Sequence, residues 1–282
     1  MSTLGEFATP GGHQLAVREW AAEGRPHAVV QLVHGLGEHA NRYAHVARRL
    51  NALGFIVRGH DHFGHGASSG ARGDLPEGLR LVEDLGRMVD ETRRLHPGLP
   101  LVLLGHSLGG LVAASFVARA MRPVEALVLS SPALDPGLTR LQRGLIAVLS
   151  QMAPGLRVGN GLNARYLSHD PLVVQAYQGD PLTHGRIGAR LARYLADEGA
   201  VVQAAAPRWR VPTLLLFAGD DRLVNPEGSR RFAAAATDAV HAVCYETLYH
   251  ELFNEREAQP VFAQLEAWLA ARFPVATPLA AG

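Results

Sequence analysis

The feature that most constrains this chain is the rhythm of its apolar segments. Short apolar runs at 13–20, 28–33, 55–58, 101–104, 126–129, 213–217 and 242–245 alternate with longer helical patterns at 43–53, 79–95, 108–121, 227–236 and 258–273. Short, near-continuous apolar runs suit strands buried on both faces, as in a parallel sheet covered by helices. Parallel neighbours need a crossover between them, so the alternation predicts an α/β fold, a mostly parallel sheet flanked by helices. Hydrophobic residues make up 48% of the 282 and charged residues 19%, enough apolar material for a sizeable core.

The rhythm breaks once. Residues 135–210 hold no convincing buried strand and carry helical patterns, a turn-rich stretch at 160–163 and Asp-Pro-Leu at Asp170 and Asp180. So long an excursion between two strands predicts a helical cap inserted at 135–210 into a core made of 1–134 and 211–282. Within it Leu138, Leu141, Leu145, Val148, Leu149 and Met152 recur at helical spacing, with Arg140, Gln142, Arg143 and Gln151 mostly opposite. The simplest expectation is that this stripe packs inward. In a cap the inward face is also a pocket roof, which makes Leu145 and Leu149 candidate substrate contacts. A sharper reading has the helix make transient contact with a lipid surface.

Charge and composition exclude several functions. The 27 basic residues, all of them Arg, balance 26 acidic ones to a net +1, which gives no nucleic-acid footprint and no strong pull toward anionic membranes. Without lysine there is no Schiff-base, Ser-Lys or phosphate-loop lysine chemistry. The single cysteine, Cys244, precludes an intrachain disulfide and multi-cysteine metal sites. Residues 1–13 lack the pattern of a secretory signal, and no run of about 18 apolar residues occurs, so a cytoplasmic protein without stable membrane insertion is expected. Residues 275–282 read as a frayed tail.

What remains is hydroxyl, imidazole and carboxylate chemistry, with 14 histidines to serve it. In Leu101-Val-Leu-Leu-Gly-His-Ser-Leu-Gly-Gly-Leu111, Ser107 sits between Gly105 and Gly109, after an apolar strand and at the start of a helix. A nucleophile on so sharp a strand-to-helix turn has strained backbone angles and leaves no room for bulk two residues away on either side. Gly66-Ala-Ser-Ser-Gly70 fits the same spacing, but Ser68 follows a polar run and leads into loop. Ser107 is therefore the candidate nucleophile, and the alternative for it is an ordinary helix cap.

The base and its orienting acid belong at strand C-terminal ends. His250 follows the strand at 242–245; His241 lies at the wrong end of that strand, and His106 is adjacent to Ser107. After the strand at 213–217 comes Gly219-Asp-Asp-Arg-Leu-Val224, where Asp220 and Asp221 are nearly equal candidates by spacing. Asp135 is a third candidate and Glu246 a remote one. The glycine-spaced turn Val33-His-Gly-Leu-Gly-Glu-His39 can expose main-chain N–H groups. The amides of Leu36 and Leu108 are the candidate oxyanion donors.

Taken together, His34-Gly-Leu-Gly-Glu-His, Asp61-His-Phe-Gly-His-Gly, Gly105-His-Ser-Leu-Gly-Gly, Gly219-Asp-Asp-Arg-Leu-Val and His250-Glu-Leu-Phe-Asn-Glu resemble the monoacylglycerol lipase and lysophospholipase-like branch of the α/β-hydrolases. The resemblance runs from about Gly12 to Phe273. It implies Ser107 as nucleophile, Asp221 rather than Asp220 as acid, His250 as base and the Leu36 and Leu108 amides as oxyanion donors. A rival constellation, His60, His62 and His65, suggests a metal, but it lacks the His-x-His-x-Asp-His spacing of the binuclear zinc hydrolases and a polar loop is the simpler reading. The expectation is a cofactor-free, metal-free serine hydrolase of monoacylglycerol-like or other single-chain or small acyl esters. Its rivals are an amide hydrolase on the same triad and a non-catalytic ligand-binding protein of hydrolase fold.

Overall fold

The structure, a computed structural model, describes residues 2–274; the tail expected at 275–282 lies outside them. In chain order the elements are β1 (Ser2–Thr9), β2 (His13–Trp20), β3 (Ala28–Val33), α1 (Ala44–Ala52), β4 (Phe55–His60), α2 (Arg80–Leu95), β5 (Leu101–His106), α3 (Leu108–Ala118), β6 (Ala126–Ser130), α4 (Arg140–Met152), β7 (Arg157–Gly159), α5 (Pro171–Gly179), β8 (Arg186–Gly188), α6 (Ala189–Ala205), β9 (Thr213–Ala218), α7 (Glu227–Ala235), β10 (Val240–Tyr245) and α8 (Gln259–Arg272). Eight strands form one sheet in the order β1-β2-β4-β3-β5-β6-β9-β10, antiparallel at β1–β2 and β2–β4 and parallel from β4 onward. Every residue of β3, β4, β5, β6 and β9 is buried. This is why those runs are almost wholly apolar in sequence.

Helices cover both faces. On one, Val46 and Leu50 of α1 and Phe262, Leu265 and Leu269 of α8 pack against Val30, Val102 and Leu214. On the other, Leu85 and Val89 of α2, Leu111 and Phe116 of α3, Tyr194 of α6 and Phe232 of α7 pack against Leu103, Leu127 and Leu215. From β3 the chain goes to β4 on one side and later returns to β5 on the other. The ends of β3 and β5 thus flank the point where strand order reverses, the usual crevice for a ligand in such a sheet.

Three features depart from the sequence reading. β1 was not anticipated, because its residues are mostly exposed and carry no buried apolar pattern; it is held by pairing with β2 along its whole length, from Ser2–Trp20 to Thr9–His13. The stretch between β6 and β9 is helical but divides in its packing. Along α6, Leu191, Tyr194 and Val202 join the core, whereas α4 buries no residue, leaving Leu141 83% and Met152 81% exposed. The stripe on α4 is thus open to solvent along much of its length and does not pack inward as expected. β7 and β8 add a two-stranded antiparallel ribbon that the sequence reading also lacked.

The contrast predicts opposite stability effects. Phe116→Ala, at a fully buried position in α3, should cost about 3–5 kcal/mol of unfolding free energy. Leu141→Ala should stay within about 0.5 kcal/mol. Urea unfolding of both variants measures the difference.

Candidate active site

Ser107 lies between β5 and α3 with φ 53° and ψ −118°, in the left-handed half of the map where a side chain is strained. The strain is held by surroundings. The Ser107 N–H donates to the Ser130 carbonyl at 3.0 Å, and the Ser107 carbonyl accepts from Leu111 and Ala133. A Cβ at Gly109 would stand 2.1 Å from the Val33 carbonyl oxygen, and one at Gly105 would stand 2.4 Å from the Gly109 oxygen. Gly105 is required because the first turn of α3 folds back over the end of β5, and Gly109 because the same turn is pressed onto the end of β3. That contact brings the α3 N-terminus beside the turn that begins at His34.

His250 follows β10 and is 4% exposed. Its Nδ1 donates to Oδ2 of Asp221 at 2.7 Å. The other oxygen of Asp221 accepts the N–H groups of Leu223 and Val224, both at 2.9 Å, which fixes the carboxylate at the end of β9. Burial would raise the Asp221 pKa, but the charge and hydrogen bond of His250, with these two amides, hold it below the usual carboxylate value. Burial likewise pushes the His250 imidazole down, and the charge and hydrogen bond of Asp221 outweigh it, so the ring lies above 6.5.

Ser107, Leu108, Leu36 and His250 all line one cavity of about 480 Å³, whose walls also include Ile146 and Leu145 of α4. Leu149 stands one turn beyond the part of α4 that faces this cavity and is not on its wall; Gln142 and Ile146 are, with Leu138 just ahead of the helix. The competing candidates are engaged elsewhere. Asp220 pairs with Arg222 at the surface, Asp135 with Arg231 and Asn225, and Glu246 with Arg230. His241 is exposed at the far end of β10. Ser68 is buried, its hydroxyl donating to the Asp61 carbonyl at 2.5 Å and accepting the Ala16 N–H at 2.9 Å.

The suspected metal loop is a packed imidazole cluster. His34, His62, His65 and His184 pack in sequence with ring centroids 4.2, 5.9 and 4.7 Å apart, tilted or edge-on to one another, and His60 meets His62 edge-on. His34 Nε2 accepts the His62 N–H at 2.8 Å and His34 Nδ1 contacts the Gly35 carbonyl at 2.8 Å, so this ring props the turn that holds Leu36. Among the described residues no group of three or more His, Cys, Asp or Glu is arranged to hold a metal ion.

One ion-pair array escaped the sequence reading. Glu38 accepts the Gly35 N–H and the Tyr43 hydroxyl, both at 2.6 Å, and pairs with Arg42. The Arg42 guanidinium forks onto Glu251 at 2.6 and 2.8 Å. Glu251 is the neighbour of His250, so the array joins the turn at Gly35 to the loop of His250. The Glu38–Arg42 spacing of four was a visible signal; Glu251, 209 residues away, was not.

The buried histidines predict an acid-labile fold. Burial pushes His60 and His106 down to about 4 and holds His34, His62 and His65 well below 6.5. As pH falls below 6.5 the unfolded chain takes protons that the folded chain refuses. Stability is full above 6.5 and declines toward about 4, by about 1.4 kcal/mol per pH unit for each group within its window. His250 acts oppositely, its contribution fading above 6.5 as pH passes its raised pKa. Thermal unfolding from pH 8 to pH 4 should show a midpoint falling steeply below 6.5; a flat midpoint would refute the assignment of neutral buried rings.

The sequence pattern of the family described as serine aminopeptidase, S33 matches residues 24–257. The monoacylglycerol lipase of Mycolicibacterium smegmatis is 39% identical over 267 residues, 93% of this chain and 95% of that protein. The human monoglyceride lipase is 34% identical over 277 residues, 95% of this chain and 91% of that one. Among solved structures, the monoacylglycerol lipase of Paleococcus ferrophilus superposes with a TM-score of 0.83 at 33% identity, covering 92% of this chain and 99% of that chain. On these matches and the sheet described above, the chain belongs to the α/β-hydrolase family described as serine aminopeptidase, S33, and is a carboxylesterase-type serine hydrolase akin to the monoacylglycerol lipases.

Proposed function

We propose that this serine ester hydrolase works through Ser107, His250 and Asp221. The observation that carries the reading is the opening of Ser107 and His250 onto one cavity, with Asp221 hydrogen-bonded behind the imidazole. Ser107 Oγ attacks the ester carbonyl carbon while His250 Nε2 takes its proton. Asp221 keeps the second ring proton on Nδ1 and stabilises the imidazolium. The carbonyl oxygen, now anionic, is held by the Leu36 and Leu108 amides. The C–O bond to the alcohol then breaks, the leaving oxygen takes the proton from His250, and the acyl group stays on Ser107. Water, deprotonated by His250, attacks that acyl-enzyme; the bond to Ser107 Oγ breaks, Oγ takes the proton back from His250, and the acid is released.

The segment 135–210 serves as the cap, and its side chains define a single-chain acyl ester such as a monoacylglycerol as substrate. The cavity wall is mostly apolar, with Gln142, Asn160 and Tyr177 as polar groups for an alcohol portion. The relatives named monoacylglycerol lipase support the same substrate class. An aminopeptidase reading needs a carboxylate in the cavity for a substrate ammonium. Glu38 and Glu251 reach the wall, but both already hold Arg42, which disfavours that reading. No described helix is long and apolar enough to cross a membrane. The outward side chains Leu141, Val148 and Met152 fit transient contact with a lipid surface instead.

Ser107→Ala should abolish ester turnover and fluorophosphonate labelling. Asp221→Asn should lower kcat by about 10⁴ while leaving the protein folded. Asp220→Asn should have little effect. The kcat/KM profile should rise with pH through an apparent pKa above 6.5, because the base must be neutral. Label on the Ser107→Ala protein, detected by intact mass, overturns the nucleophile; the reverse ranking of the two aspartates overturns the acid.

Each acyl methylene buried in the cavity should contribute about 0.8 kcal/mol until the cavity is full. Measured as kcat/KM from acetyl to palmitoyl monoesters, wild type should climb and then level, and monoesters should exceed triesters. Leu145→Trp should shift the favoured length and leave acetyl turnover nearly unchanged. Leu141→Glu should leave soluble acetyl esters unaffected and weaken co-sedimentation with phosphatidylcholine vesicles. Preference for triesters would refute a one-chain cavity, and unaltered sedimentation would refute the lipid-facing role of α4.

A further inference from the structure

The loop that carries His250 is fastened on a second side, by a carboxylate with no part in the proton transfers above. Glu255 is buried, its side chain 1% exposed. Its Oε1 accepts the Tyr249 N–H at 2.8 Å, and the same oxygen contacts His169 Nδ1 at 2.8 Å. Its Oε2 takes the His169 N–H at 3.1 Å and the Arg256 N–H at 3.3 Å, with the Ser168 hydroxyl oxygen 3.3 Å away. A carboxylate can only accept, so the contact with Nδ1 fixes the proton of His169 on that nitrogen. The four donors come from two stretches of chain: Tyr249 and Arg256 around the His250 loop, and His169, with its neighbour Ser168 alongside, from the segment inserted between β6 and β9.

Around this carboxylate the same two stretches meet again. The Glu251 N–H donates to the Leu167 carbonyl at 2.8 Å, and the Ser168 hydroxyl lies 2.9 Å from the Asn254 carbonyl. The His169 ring lies flat on the Tyr249 ring, with centroids 3.6 Å apart and planes 22° apart. Both backbone neighbours of His250 are therefore bonded to the inserted segment or through Glu255 to it. Leu167 itself lines the cavity.

We propose that Glu255 is a positioning residue: it ties the loop of His250 to Ser168 and His169, so that the base is correctly placed only while the inserted segment is docked. The physical basis is leverage. His250 bonds to Asp221 through one ring nitrogen, and a shift of the Tyr249 backbone swings the other nitrogen away from Ser107. Misplacement of a catalytic group by about 1 Å costs on the order of 10²-fold in rate. Glutamine at position 255 offers one oxygen and one NH2, and the NH2 would face N–H donors. In either orientation of the amide it would leave at least one of the donors unpaired. The inference rests on His250 being the base, and its experiment separates the two ideas.

The experiment compares wild type, Glu255→Gln, His169→Phe and Ser168→Ala with His250→Ala on a soluble acetyl ester, measuring kcat, KM and the thermal midpoint. Glu255→Gln should lose between about 10-fold and about 100-fold in kcat with KM changed less than about twofold. His169→Phe keeps a ring against Tyr249 and removes one donor, and should lose kcat by a smaller factor at an unmoved midpoint. Ser168→Ala should do likewise. A folded Glu255→Gln protein with wild-type kcat overturns the proposal. If Glu255→Gln fails to fold, the two milder variants decide: lost kcat at constant midpoint supports it, and unchanged kcat in both overturns it. Activity surviving in His250→Ala overturns the reading of the base itself, whereas an inactive His250→Ala beside a normal Glu255→Gln overturns only the role of Glu255.

Discussion

The close approach of α3 to the end of β3 is the constraint on which the rest of the site depends. A strand that must deliver a side chain to the crevice above a parallel sheet, and turn at once into a helix, has one residue in which to reverse direction. Ser107 is that residue, at φ 53°. The turn is tight enough that the backbone of Gly109 lies against the carbonyls of Val33 and His34. Pressing the two segments together places the first amides of α3 next to the turn at Gly35. Such N-terminal amides have no partner inside the helix and carry the positive end of its dipole. The strained serine and the place where negative charge can be held are thus products of one packing contact.

Where the sequence was informative, it was through patterns imposed by burial or by steric necessity. Strands β3 to β6 and β9 are buried on both faces, so nearly every residue had to be apolar, and their positions could be read directly. Gly105 and Gly109 were legible because no other residue fits. The choice between Asp220 and Asp221 was not legible from spacing, since both follow β9 and the difference is one of side-chain direction. Asp221 turns inward to His250 while Asp220 turns out to Arg222. Strand β1 was invisible for the opposite reason: an edge strand exposed on most of its length is held by backbone pairing, which any sequence of modest β propensity allows.

The inserted segment shows how far periodicity reaches. Apolar spacing identified a helix near 138–152, and α4 is there at Arg140–Met152. Periodicity says that one face differs from the other, not which neighbour the apolar face will find. In α6, a similar mixture packs onto α3 and supplies the buried Glu198 that holds Arg119 and the Ser115 hydroxyl. In α4 only the stretch around Gln142, Leu145 and Ile146 reaches the cavity, and Leu149 falls past its end. Helices built on the same rule thus end in opposite environments, because the environment is set by residues distant in sequence.

The long-range charges make the same point and bear on the chemistry. Around His250 the fold buries two carboxylates, Glu38 and Glu251, against one guanidinium, Arg42. Uncompensated buried charge is costly, and the array is tolerated because its lone pairs are filled: Glu38 by Gly35, Tyr43 and Arg42, and Glu251 by Arg42 and Asn254. Both carboxylates, together with Asp221, favour a protonated His250, whereas His106, whose ring centroid lies 4.7 Å from that of His250, is held neutral by burial, pushed down to about 4. His250 is therefore poised to hold a proton, with negative charge on several sides and no competing cation in the ring beside it. Only a guanidinium can hold two carboxylates in this way, since its planar fork presents five donors in fixed directions where an ammonium offers three around a point. In a chain whose 27 cations are all arginine, the bridge between the turn at Gly35 and the loop of His250 is one that lysine could not replace.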